Sequence, residues 1–220
     1  MAQLQASALT KTATTLTSSQ NPSVYAQPVT FTAVVAPAPA DGETVTFWQG
    51  KIYLGTGTLS GGTATYTIST LAAGGTDTIK AEYPGDNTHA SSTSSSVAQV
   101  VGPAPTSTTL VSSQNPSEVG HPVSFTATVT ATEYGGTPTG NVSFYNGSAK
   151  LGTVTLAAGV ATYTSTKLPA GTGSITAVYS GGKSYVAIAE QLNTEGVKPR
   201  SGAKWHPTQV QRVIQRAEAK

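Results

Sequence analysis

Short apolar runs alternating with threonine and serine recur along most of the chain. Val29, Phe31, Ala33 and Val35 alternate with Thr30, Thr32 and Val34, and the same pattern returns at Val123, Phe125, Ala127 and Val129. Val45 and Phe47 repeat as Val142 and Phe144, while Ala64, Tyr66 and Ile68 alternate with Thr63, Thr65 and Thr67. A period of two sends successive side chains to opposite faces, so each run predicts a half-buried β-strand. Threonine suits the wet face because it is β-branched yet polar. Turn signals punctuate the runs at Asn21-Pro22, Gln49-Gly50, Gly61-Gly62, Ala73-Gly74-Gly75 and Gly85-Asp86. Short strands separated by turns every 8 to 12 residues or so predict antiparallel β-sandwiches.

The pattern is written twice. TTLTSSQNPS at 14–23 returns as TTLVSSQNPS at 108–117, and QPVTFTAVV at 27–35 returns as HPVSFTATV at 121–129. VTFWQGKIYLGTGTL at 45–59 returns as VSFYNGSAKLGTVTL at 142–156, a spacing longer by three residues. The extra residues fall in ATEYGGTPTG at 131–140, which reads as a loop. A repeat this long is a whole domain rather than a solenoid unit. The organisation expected is an N-terminal arm at 1–11, a first domain at 12–101, a linker at 102–105, a second domain at 106–191 and a tail at 192–220. Pro103 and Pro105 stiffen the linker and remove ladder donors from it.

The strings TTLTSSQNPSVYAQPVTFTAVV, VTFWQGKIYLGTGTLSGGTATYTISTLAAG and AEYPGDNTHASSTSS resemble the bacterial Ig-like repeat family. The second copy is similar to it through VSFYNGSAKLGTVTLAAGVATYTSTKLPAGTGSITAVYSG, so the resemblance spans roughly residues 12 to 191. The family stands in tandem in large secreted and surface proteins of bacteria and also on phage virions. What the resemblance implies is an all-β chain of two tandem immunoglobulin-like β-sandwiches serving as spacer, adhesive or display element. It implies no enzymatic activity and brings no catalytic residues. GGKSY at 181–185 departs from the pattern, because it lacks the acid that Asp86 supplies in the first copy.

Composition narrows the chemistry. Charged residues make up 10% of the chain, against about 25% in an ordinary globular protein. There are no cysteines, so disulfides, thiolate metal sites and thiol nucleophiles are all absent. The three histidines, His89, His121 and His206, show no metal-ligand spacing and are expected to be structural. Asp41-Gly42-Glu43 and Asp86-Asn87 could each touch a calcium ion, but turn chemistry accounts for Asp and Asn there equally well. Trp48, where the second copy has Tyr145, is a candidate outward aromatic for a glycan. Asn141 and Asn146 fit the glycosylation acceptor pattern, which carries no weight in a bacterial or phage setting. No cofactor is expected, no metal site is assigned, and no stretch reaches the roughly 20 apolar residues of a membrane span.

The tail is a different object. Residues 1–191 carry 6 basic and 8 acidic side chains, a net of −2, whereas residues 192–220 carry 6 and 2, a net of +4. WHPTQVQRVIQRAEAK predicts a helix over about 207–219, with Thr208 and Gln211 forming a capping box. Val210, Val213, Ile214 and Ala217 follow one helical face, and Arg212, Arg216 and Lys220 stack on another. A helix of about a dozen residues is marginal alone in water, so it needs a surface to dock on. Trp205, Val210, Arg212, Val213, Ile214 and Arg216 are accordingly the candidate partner-binding residues.

The partner expected is a protein lattice or surface, with self-association and a glycan also open, and nucleic acid disfavoured for want of a binding fold. MAQLQASALTKTATTL is not a secretory signal peptide. Together with the tail, that start favours a virion decoration protein of capsid or phage tail, displayed on the virion surface. The alternative is a fragment of a secreted cell-surface adhesin or spacer.

Overall fold

The computed structural model describes residues 8–181, 197–199 and 204. Among them the chain is all-β and has no helix. It divides into two compact units, Met1–Gly102 and Pro103–Lys220.

In the first unit, β1 (Ala13–Ser18), β3 (Val29–Ala36) and β6 (Thr63–Ile68) form one sheet with β3 at its centre. The facing sheet runs in the order β2 (Ser23–Val24), β9 (Val97–Gly102), β7 (Gly75–Tyr83), β4 (Thr44–Gln49) and β5 (Ile52–Thr58), with β8 (Ser92–Thr93) paired to β7. All pairings are antiparallel except β2 on β9. The inward half of each alternating run closes the core between the sheets. Val29, Phe31, Ala33 and Val35 of β3 pack with Val45 and Phe47 of β4, Ala64 of β6 and Ile79, Ala81 and Tyr83 of β7, all buried. Burying a Val, Ile or Phe side chain contributes about 1.5–3 kcal/mol, which is how a low-charge domain of this size holds together.

The described part of the second unit repeats the plan. β10 (Thr106–Ser112), β11 (Val123–Ala131) and β14 (Val160–Ser165) form one sheet, and β13 (Ala149–Thr155), β12 (Gly140–Asn146) and β15 (Ile175–Gly181) the other. Residues 131–140, read as a loop, connect β11 to β12 apart from their end residues. Its core is Val123, Phe125, Ala127, Val129, Val142, Phe144 and Ala161.

Register shows how closely the copies agree. Phe31 faces Tyr66 across the sheet as Phe125 faces Tyr163, and both β4–β5 and β12–β13 shift register just after the inward Phe. Tyr66 stacks on Phe47 and Tyr163 on Phe144, each with ring centroids 5.6 Å apart. Under each tyrosine lies a glycine. A Cβ on Gly55 would sit 2.3 Å from Tyr66, and one on Gly152 would sit 2.5 Å from Tyr163. Only a residue without a side chain lets these strands pass beneath the ring.

Candidate functional site

The polar groups of the first unit gather at its two ends. At one end, Tyr83 is fully buried and its hydroxyl donates to Glu43 Oε2 at 2.6 Å. Burial, and then the adjoining Glu43 and Asp86 carboxylates, push the Tyr83 phenol well above its usual range. Asp86 caps the loop after β7. Its Oδ1 accepts from the backbone N–H groups of Thr88 and His89 and from the Thr88 hydroxyl. Desolvation alone would raise the Asp86 carboxyl, but those hydrogen bonds outweigh it and hold it below the usual carboxylate range. His89 Nδ1 lies 3.2 Å from Asp86 Oδ2. The loop also receives the start of the chain, since Thr10 N donates to Thr88 O and Ala90 N donates to Thr10 O.

The acids that could have faced calcium therefore do turn work. Asp41 Oδ1 accepts from Gly61 N at 2.7 Å, tying the connection before β4 to the β5–β6 turn. Among the described residues, no three His, Asp or Glu side chains stand close enough to hold a metal ion. His121 pairs with Glu118 at 3.1 Å on an open surface, where such a pair contributes little.

The opposite end holds a buried polar network that periodicity did not single out. Gln99 of β9 is fully buried. Its Nε2 donates to Gln20 O and Ser23 Oγ, and its Oε1 accepts from Ser18 Oγ at 2.6 Å. Asn21 clasps the same strand, donating to Ala98 O and accepting from Val100 N. The matching residues of the second unit, Ser112, Gln114, Asn115 and Ser117, line a cleft of about 470 Å³ with Phe125 and Leu168. Apart from the adjacent Val100 O, the partners of Gln99 lie 76 to 81 residues away in the sequence, so no local pattern announces them. The one available signal is Gln99 taking an inward position between Val97 and Val101.

Trp48 is only half exposed and meets Tyr53 edge-on, with ring centroids 5.7 Å apart. Tyr53 is the more exposed of the two, at 54%. Trp48 and Tyr53 are partners across the β4–β5 pair, just after the register shift at Phe47, so the two rings share one face and Tyr53 covers part of Trp48. The candidate anchor residues Trp205, Val210, Arg212, Val213, Ile214 and Arg216, the helix over 207–219 and His206 lie outside the described residues.

Comparison with known proteins fits this architecture. The family model described as "Bacterial Ig-like domain (group 3)" matches residues 16–102 and again residues 110–197. The chain belongs to the bacterial Ig-like domain family. Two copies thus stand in tandem, and domains of this kind are typically non-catalytic and typical of extracellular or surface proteins. Among solved structures, the chain is similar to fibronectin(III)-like modules of Clostridium thermocellum CbhA, at 16% identity and a TM-score of 0.31, covering 70% of this chain and 79% of that one. It is also similar to the human OSCAR ligand-binding domain, at 15% identity and a TM-score of 0.33, covering 69% of this chain and 81% of that one. No curated protein matches the chain.

Proposed function

We propose that the chain is a non-enzymatic display protein, a decoration of a virion capsid or tail that presents two Ig-like domains and attaches through its C-terminal segment. One observation carries the reading: a charge-poor sandwich, closed around its own core, is duplicated beside a segment of opposite charge. Each unit buries its own Phe-centred core. Residues 1–191 are net −2 and residues 192–220 net +4. Val210, Val213 and Ile214 would bury against the lattice while Arg212 and Arg216 pair with its acidic groups and Trp205 anchors the root. A short segment that orders on binding holds modestly as a single copy, and an array of copies raises the effective affinity. A second reading, a spacer or adhesin at a cell surface, is favoured by the family itself, whose members stand in tandem in surface proteins.

The test is co-sedimentation, at moderate salt, of the full chain and of a chain lacking residues 198–220 with purified virions and with cell envelopes of the source. The full chain should pellet with virions and the truncated chain should not. Retention of the truncated chain at full strength would place the anchor on the sandwiches. Pelleting with envelopes alone would establish the second reading.

A further inference from the structure

Asp77 of β7 shares the inward row of its strand with Ile79, Ala81 and Tyr83, which are all buried. Across the β7–β9 pair it faces Gln99, which is itself fully buried. Gln49, the last residue of β4, donates from Nε2 to Asp77 Oδ1 at 2.5 Å. The other oxygen of each group, Gln49 Oε1 and Asp77 Oδ2, is buried without a hydrogen-bond partner. Both leftover atoms are acceptors; the indole N–H of the neighbouring Trp48, a donor, is likewise buried without a partner, so it is bonded to neither. Gln99 cannot help, because its Nε2 is occupied by Gln20, Ser23 and Val100.

An ionised aspartate would leave two buried acceptors without a donor in one hydrogen-bonded pair, an arrangement native interiors avoid. A protonated carboxyl carries one O–H donor. Placed on Oδ2, that proton can donate to Gln49 Oε1 while Gln49 Nε2 donates to Oδ1, so one proton satisfies both atoms. We propose that the Gln49–Asp77 corner is a proton-binding site of the first Ig-like domain, in which Asp77 is held as the neutral acid in a cyclic acid–amide pair.

Among the described residues, the strands beside Asp77 offer no counter-charge. Neither β4 nor β9, the strands packed against Asp77, carries an ionisable side chain. Lys80 and Glu82 alternate to the other face of β7, Lys51 is exposed in the turn after β4, and Tyr25 follows β2 at the Gly102 end of β9. Burial raises the Asp77 carboxyl from its ordinary value, against the opposing pull of the Gln49 bond. The second unit lacks the pair, since Asn146 and Gly173 take the two positions, and a Cβ on Gly173 would meet Asn146 Oδ1 at 3.0 Å. The site therefore belongs to one domain, and the other serves as its control within the same molecule.

The linkage has a definite sign. A carboxyl raised on folding contributes stability that is complete below its unfolded value and lost as pH rises through the folded value. In the full chain, the Asp77 carboxyl carbon followed by NMR should titrate above the ordinary aspartate value of about 3.9. Asp77→Asn supplies the same donor and acceptor permanently. The ratio of hydrogen-exchange protection between wild type and Asp77→Asn, at β4 and β7 amides, should fall by up to about tenfold per pH unit between the ordinary aspartate value and that midpoint, and level off above it. Amides of β11 and β12 should show a constant ratio. A midpoint at or below the ordinary value overturns the proposal whether or not the variant folds. A folded variant with the wild-type pH profile overturns it as well.

Discussion

Replacing Gly55 with alanine tests the packing that both domains share. The new Cβ would lie 2.3 Å from one Tyr66 ring carbon, with two more at 2.9 and 3.0 Å. Carbon atoms rest at about 3.5–4.0 Å, so the ring would have to retreat by about 1 Å. It has nowhere to go, because Phe47 stacks on it and its hydroxyl donates to Leu54 O at 2.7 Å. Overpacking of this kind costs about 1–3 kcal/mol, and the pinned ring puts Gly55→Ala in the upper half of that range. For a domain of this size the melting temperature should fall by roughly 10–20 °C.

Urea denaturation followed by Trp48 fluorescence, with Trp205→Phe removing the second of the two tryptophans, isolates the first domain. Tyr66→Ala alone should cost about 3–5 kcal/mol. In that background the sign should reverse, and Gly55→Ala should stabilise by about 0.5–1 kcal/mol, the ordinary gain of alanine over glycine within a strand. Additive effects, or a neutral Gly55→Ala in the intact domain, would refute the argument. Gly152 and Tyr163 should behave alike in the second domain.

Three further outcomes are expected. Phe31→Ala, in the same denaturation experiment, and Phe125→Ala, followed by hydrogen exchange at β11 and β12 amides, should each destabilise their own domain by about 3–5 kcal/mol, because both rings are at most 4% exposed; a loss below about 1 kcal/mol would contradict the register. Gln99→Leu should cost about 2–3 kcal/mol, since it removes a partner from Ser18 Oγ, Ser23 Oγ and Gln20 O together and leaves only the Ser18 Oγ to Gln20 O bond among them. Asp86, lowered on folding, contributes stability that is present above its unfolded value of about 3.9 and lost as pH falls through the folded value. Asp86→Asn should therefore flatten the acid limb of a thermal-melt series, opposite in direction to the effect of Asp77.

The core of each sandwich was legible because one signal, the period of two, fixes both the strand and its buried face. Val29, Phe31, Ala33 and Val35 could be placed inward without a structure, and the duplication confirmed the spacing at Phe125. Local patterns failed where geometry departs from simple alternation or where partners are remote. The two-residue strands β2 and β8 are too short to show a period, and β2 pairs in parallel with a strand far along the chain. The edge contact across the β4–β5 pair half-covers Trp48 and leaves Tyr53 the more exposed of the two rings. Gln49 and Asp77 lie 28 residues apart, yet Asp77 in step with Ile79, Ala81 and Tyr83 is a polar residue in an apolar row. That mismatch is the sequence trace of the buried pair.

The proposed function divides the labour between displayed domains and an attaching segment. The direct measurement is the amount of protein bound per particle as a function of concentration, for the full chain and for Val210→Asp/Ile214→Asp, with folding of both domains checked by hydrogen exchange. Saturable binding by the full chain and loss of binding by the variant, with exchange protection in β3 and β11 unchanged, is the expected result. Equal binding curves for the two proteins would contradict it.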